Sequence, residues 1–287
     1  MTRATATAIG FVAVLLWALL ALFTAGSAPV PPFLLNALTF SIGGAVGVIW
    51  VLMRGRLSVL RVVPWTVYAF GTVGLFGYHA LYYSALRLAP PAEAGLIAYL
   101  WPLFIVLFSG LLPGERLRAG HIIGALVSFS GAALIVLRNG FSFEAASTPG
   151  LILAGLCALT WSSYSVMSRR LGTTPTEAVA VFCVLTAMLS VPSHLMFETT
   201  VWPQSAFGWV SVAALGLGPV GLAFYVWDIG VKRGDIQLLG VASYAAPLLS
   251  TLVLITAGFA TASWQLVVAA VLITVGAGIA ALASRRA

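Results

Sequence analysis

The sequence predicts an all-α polytopic membrane protein, with ten transmembrane helices arranged as two inverted five-helix repeats around a central cavity. Three observations carry this. Hydrophobic residues make up 61% of the chain and charged ones 7%. Apolar runs of roughly 20 residues, enough to cross a bilayer as helices, recur from end to end. The stretch from Gly71 to Pro113 also returns, weakly, under a shift of 145 positions: Gly71 falls on Gly216, Gly95 on Gly240, Tyr99 on Tyr244 and Pro102 on Pro247, and beyond the stretch Gly131 falls on Gly276. Two copies of one helical unit, each with a proline-broken helix at mid-membrane depth, describe a carrier with its site between the copies.

The first thirty residues allow two readings. Arg3, the apolar run from Ile9 to Phe23 and Ala25-Gly26-Ser27-Ala28 have the layout of a signal peptide and its cleavage site. Trp17, however, has a counterpart in Trp161, where a sixth helix would open the second copy, and this favours a retained first helix. The spans expected are 7–24, 33–53, 65–87, 92–112, 120–138, 149–168, 177–196, 207–230, 236–258 and 264–283. Short connections separate them, marked by Pro29, Pro31 and Pro32, Arg54-Gly55-Arg56, Pro90-Pro91, Pro113-Gly114, Arg138-Asn139-Gly140, Gly172 and Gly234-Asp235. No room remains for a soluble domain. The repeats divide the chain into 1–140 and 141–287, with a hinge expected between Asn139 and Thr148.

Charge sets the topology. With the N-terminus inside, Arg3, Arg54, Arg56, Arg61, Arg116, Arg118, Arg169, Arg170, Lys232, Arg233, Arg285 and Arg286 fall inside, and only Arg87 and Arg138 outside. Both termini are then cytoplasmic. Five spans per copy is an odd number, so the copies run in opposite directions. The net charge of +7 sits in these turns and forms no continuous basic face, which argues against nucleic acid as a partner. Cys157 and Cys183 lie in apolar spans without metal-type spacing and read as small buried hydrophobes. Neither a metal nor a cofactor is expected, and no His-Glu-x-x-His or Gly-x-Ser-x-Gly motif suggests an enzyme.

Candidate site residues fall on helical faces. In the third span Tyr78, His79 and Tyr82 share a face, with Leu75 and Leu86 extending it. Two phenols and an imidazole near mid-span point to a wet cavity; the alternative is a histidine bonded to a neighbouring helix as packing glue. In spans four and nine, Pro102 and Pro247 cannot donate to the carbonyls of Ala98 and Ser243. Such freed carbonyls need a partner, and a substrate ammonium could be one; a kink that only improves packing is the other reading. Tyr99 and Tyr244 precede these prolines by one turn, and Trp101 adjoins Pro102. Trp17 and Trp161 lie well inside their spans, with Tyr164 and Ser165 on the face of Trp161. Tyr225 and Trp227 are weaker candidates. His121 and His194 lie near span ends without such company.

Among the acids, Asp228 stands four residues before Lys232, as in an ion pair at a helix end. Glu93 opens span four, and Glu115 lies in a loop with Arg116 and Arg118. None stands alone at mid-depth, which favours a facilitated mechanism over tight proton exchange. Gly43 and Gly47, Gly120 and Gly124, and Gly276-Ala277-Gly278 allow close helix approach, within the chain or between copies of it.

Ten spans in inverted repeats, the Tyr-x-x-Pro of an alanine-rich fourth helix and Pro-Gly-Glu-Arg at 113–116 resemble the EamA-type carriers of the drug/metabolite transporter superfamily. The face Tyr78-His79-x-x-Tyr82 and the run Tyr99-Leu100-Trp101-Pro102 look like the YddG-type aromatic amino-acid exporters of bacterial inner membranes. The resemblance covers the whole chain. It implies a central cavity enclosed by helices three, four, eight and nine with one and six, and peripheral helices five and ten. The second copy departs in having Ala260 where Glu115 would map, so that loop is asymmetric. The expected partners are an amino-acid substrate and the lipid bilayer. Oligomeric state is left open, and a monomer suffices. Aromatic faces, hydroxyls, the imidazole and freed carbonyls can together address an aromatic amino acid, whereas no mid-span lysine or arginine is available for a sugar phosphate. A multidrug or other metabolite carrier on the same scaffold is the alternative, and a passive channel is a further one.

Overall fold

Nine helices among the described residues are long and apolar enough to cross a membrane. They are α1 (Arg3–Gly26), α2 (Pro32–Met53), α4 (Pro91–Ser109), α5 (Ala119–Val136), α6 (Ala145–Arg170), α7 (Ala178–Phe197), α8 (Ala206–Arg233), α9 (Ile236–Thr256) and α10 (Trp264–Arg285). Between α2 and α4 the chain is helical throughout 65–88, here α3. Its second part carries Tyr78, His79, Tyr82, Tyr83, Ser84 and Arg87, and this polar face keeps it out of the apolar set. The computed structural model describes residues 1–137, 140 and 145–285. Arg138, Arg286 and half of the expected hinge, Asn139 and residues 141–144, lie outside them.

The helix interruptions repeat. α3 passes through a π-helical turn at Val73–Gly77 and α8 through another at Gly218–Leu222, again 145 positions apart. α4 breaks at Tyr99 and Leu100, between Pro91–Ala98 and Trp101–Ser109, and α9 breaks at Ser243 and Tyr244, between Ile236–Ala242 and Ala245–Thr256. Pro102 and Pro247 are thus not kinks in continuous helices. Each stands in the first turn of a second half-helix, where a missing N–H and a fixed φ cost little. α1 also breaks, at Ala18 and Leu19 directly after Trp17, and has no proline there.

Packing interleaves the two parts of the chain. α1 lies on α8, α2 on α7, α3 on α6, α4 on α9 and α5 on α10. The small residues are used in these contacts. A Cβ on Gly43 would stand 2.8 Å from the Gly221 Cα, and one on Gly124 would stand 2.5 Å from the Gly276 carbonyl oxygen. Backbone faces backbone at both crossings, so even alanine would force the helices apart. Gly278, by contrast, faces open space.

Ion pairs show which connections share an end of the bundle. Arg3 reaches Glu115 at 3.3 Å and Asp235 at 3.5 Å, Arg169 binds the other oxygen of Glu115, and Arg56 binds Glu177 at 2.7 Å. His121 Nε2 lies 3.2 Å from the Ser284 hydroxyl, which places the C-terminal helix end here too. This terminal face gathers the start of α1 and the 2–3, 4–5, 6–7 and 8–9 connections. Every described lysine and arginine except Arg87 lies at this face. At the opposite end Glu198 accepts hydrogen bonds from the Phe33 and Leu34 amides at the start of α2, and it pairs with Arg87 at 2.9 Å. A carboxylate at a helix N-terminus meets both free amides and the positive end of the macrodipole.

Candidate functional site

Between the half-helices lies a cavity of about 130 Å³, lined by Trp17, Leu20, Tyr78, His79, Tyr82, Gly95, Ala98, Tyr99, Trp101, Trp161, Pro219, Val220, Phe224 and Ala246. A dry cavity of roughly 150 Å³ holds one benzene ring, so this space matches a single aromatic side chain. No lysine, arginine, aspartate or glutamate is among the described residues that line it.

Its floor is built from tryptophans. Trp17 meets Trp101, Trp161 and Trp227 with ring centroids 6.0, 5.8 and 5.1 Å apart, and Trp101 and Trp161 meet each other edge-on at 6.4 Å. Each such pair contributes about 0.5–1.5 kcal/mol beyond its burial. Two of these rings are fixed by their N–H groups: Trp17 donates to the Pro219 carbonyl at 3.1 Å and Trp227 to the Ser165 hydroxyl at 3.1 Å. Pro219 belongs to the π-turn of α8, so the irregular backbone positions the floor.

The wall is α3. Its π-turn delivers Tyr78, His79 and Tyr82 to the cavity, with Tyr78 and Tyr82 stacked at 6.1 Å and Tyr78 against Trp161 at 5.4 Å. His79 Nδ1 lies 2.7 Å from the Leu75 carbonyl oxygen. A carbonyl only accepts, so Nδ1 carries a proton, and in neutral imidazole Nε2 is left as an acceptor. The ring is also held edge-on by Phe40 at 5.0 Å. Tyr99, at the break in α4, makes no hydrogen bond through its hydroxyl among the described residues and lines the cavity. Such a chamber offers ring faces to an apolar or aromatic group, hydroxyl donors to an anion and an imidazole nitrogen to a cation.

Of the residues singled out from sequence, Trp17, Tyr78, His79, Tyr82, Tyr99, Trp101 and Trp161 come together here. Tyr164, Tyr225 and Tyr244 are not part of this lining, and each is committed elsewhere. Tyr164 is buried over Gly74 and stacks on Phe70 at 5.7 Å. The Tyr225 hydroxyl donates to the Gly43 carbonyl at 3.0 Å, occupying the space that Gly47 leaves. The Tyr244 hydroxyl accepts the Leu103 amide at 3.1 Å, one of the donors left without a helical partner at the break in α4. Tyrosines on an amphipathic face all qualify by spacing; which ones bridge helices depends on glycines three-dimensionally opposite. Among the lining residues not singled out, Phe224 and Ala246 were within reach, being the 145-shift counterparts of His79 and Trp101.

Beyond the tryptophan floor, charged groups toward the terminal face are paired across helices. Arg169 donates to the Val231 and Gly234 carbonyls at 2.9 Å each, and Asp235 caps α9 by accepting the Leu238 amide at 2.9 Å. Asp228 pairs with Lys232 at 2.8 Å and accepts the Thr176 hydroxyl at 2.7 Å. The sequence indicated the Asp228 pair but not the reach of Glu115, whose partners Arg3 and Arg169 lie on other helices.

Residues 5–137 and 148–282 each match the EamA-like transporter family. The chain is similar over its full length to the aromatic amino acid exporter YddG of Ancylobacter novellus, at 58% identity with all of both chains covered. It is also similar to the protein of that name from Salmonella typhimurium, at 27% identity with both fully covered. A solved crystal structure, 57% identical, superposes with a TM-score of 0.96 and covers 99% of each chain.

Proposed function

We propose, from the premise that this chain belongs to the EamA-like transporter family, that it exports amino acids across a bacterial inner membrane and favours aromatic ones. The observation that carries the reading is the ring-sized, uncharged chamber of tryptophans, tyrosines and one histidine. The names of the similar proteins point the same way. α3 counts as a tenth span, since its polar face lies against the cavity and not against lipid. Ten spans give two five-helix repeats of opposite orientation, and the recurrence of the π-turns and breaks at one shift supports this. The crowding of basic residues at the terminal face supports a cytoplasmic location for both termini. The cavity then faces outward and the Glu115 cluster closes the inner side.

In this reading the substrate ring enters against Trp101 and Trp161, the tyrosine hydroxyls meet its carboxylate, and His79 Nε2 faces its ammonium group. Transport is facilitative, with rocking of the repeats exposing the site alternately to either side. The test is flux of labelled phenylalanine in liposomes holding the purified protein, with and without a pH gradient, against threonine, a cationic dye and a sugar phosphate. Saturable, trans-stimulated flux indifferent to the gradient is expected. Dye movement without phenylalanine movement would make the chain a multidrug carrier, and flux that never saturates would make it a channel.

A further inference from the structure

The two halves carry the same motif in different states. Tyr99-Leu100-Trp101-Pro102-Leu103 and Tyr244-Ala245-Ala246-Pro247-Leu248 occupy equivalent breaks in α4 and α9. The Tyr244 hydroxyl crosses to the opposite half and accepts the Leu103 amide at 3.1 Å. The mirror bond, from the Leu248 amide to the Tyr99 hydroxyl, is not made among the described residues, and Tyr99 lines the cavity instead.

From this asymmetry we infer that Tyr99 and Tyr244 exchange roles during transport: in the opposite state Tyr99 accepts the Leu248 amide while Tyr244 swings out to line a cavity open to the terminal face. The inference rests on the inverted-repeat, alternating-access reading above. If the repeats are equivalent, the second state is the first with the halves interchanged, so each position takes the environment of its counterpart. Positions whose counterparts also line the cavity stay at the site in both states; His79 with Phe224 and Trp101 with Ala246 are such pairs. Positions whose counterparts lie outside the lining are exchanged. Tyr99 gives way to Tyr244, now 0% exposed, and Ala98 gives way to Ser243, also 0% exposed. Part of the binding site is therefore constant and part is replaced. The substrate meets a tyrosine hydroxyl from α4 on one side of the membrane and one from α9 on the other.

Each tyrosine stabilises a different state through one hydrogen bond, so removing either hydroxyl should shift the population roughly three- to tenfold, in opposite directions. Two single-cysteine reporters read the states in nanodiscs, where both faces are reachable. Gly95→Cys marks the cavity described here, since a Cβ there meets nothing closer than 3.9 Å. Ser243→Cys marks the exchanged one. Native Cys157 and Cys183 are both buried and set the blank. With a hydrophilic maleimide, Tyr244→Phe should slow Gly95→Cys labelling and speed Ser243→Cys labelling several-fold, and Tyr99→Phe should do the reverse.

If both variants move the reporters in the same direction, or neither moves them, while saturating phenylalanine still exposes Ser243→Cys, the exchange of tyrosines is wrong and alternating access stands. If Ser243→Cys stays unreactive under every condition in protein that transports, alternating access between equivalent repeats fails, and the exchange with it.

Discussion

The broken helices α4 and α9 share a backbone and differ in what they do with it. Both stop after Ala98 or Ala242 and restart with a proline in the first turn. α4 then presents Tyr99 and Trp101 to the chamber, whereas α9 presents Ala246 and commits Tyr244 to the neighbouring half. α3 and α8 repeat the lesson. Equivalent π-turns lead in one case to Tyr78, His79 and Tyr82 at the wall, and in the other to Phe224 in the lining with Ala223 and Trp227 outside it. A repeated backbone thus sets where a site can form, and the side chains that have diverged on it decide which face of the site is open.

Exchanging the differing side chains tests this comparison most severely. Ala246→Trp puts a fourth indole around a chamber of about 130 Å³ and should reduce phenylalanine flux more than about 100-fold, because the ring's place is taken. The double variant Trp101→Ala/Ala246→Trp moves the indole across the axis and should recover part of that flux in the same liposome assay.

The charged cluster is next. Glu115 joins Arg3 and Arg169 across the two halves, while its counterpart Ala260 does nothing comparable. Glu115→Gln leaves Arg169 without its acid and Arg3 with Asp235 alone, and loss of one partner in a buried pair costs about 3–5 kcal/mol. Discounted for the half-exposed Arg3, it should still raise labelling of Ser243→Cys about tenfold. A smaller effect is expected from His79→Phe, which gives that position the residue of its counterpart, Phe224. Flux should fall roughly tenfold while the melting temperature in detergent moves by no more than about 2–4 °C; equal losses of flux and stability would make the imidazole a packing group. Smallest is Tyr225→Phe, which removes the bond to Gly43 outside the chamber. It should cost about 1 kcal/mol of stability, seen as a lower melting temperature, and leave the KM for phenylalanine unchanged.

Much of this comparison was written in the chain. Apolar runs, glycine and proline turns and charge placement located the helices to within a few residues, because each is a local property that the bilayer enforces. The Tyr78-His79-Tyr82 face and the tryptophans Trp17, Trp101 and Trp161 stood out because aromatic and polar side chains at mid-span need a reason. What the sequence concealed was non-local. Tyr164, Tyr225 and Tyr244 look like their neighbours on a helical wheel, and only Gly74, the Gly43–Gly47 face and the Leu103 amide, each on a different helix, take them out of the lining. The π-turns carry no sequence mark that distinguishes them from ordinary glycine-rich helix, yet they aim the wall and hold Trp17.

The central claim is that the aromatic chamber is where the substrate ring sits. It is tested most directly by titrating the purified protein with phenylalanine while following tryptophan emission, excited where phenylalanine does not absorb. A saturable change is predicted, with the midpoint weakened at least several-fold by Trp101→Ala and unchanged by Tyr225→Phe. Saturable phenylalanine flux accompanied by no change in emission, or by a change that Trp101→Ala leaves intact, would contradict the account and place the substrate elsewhere.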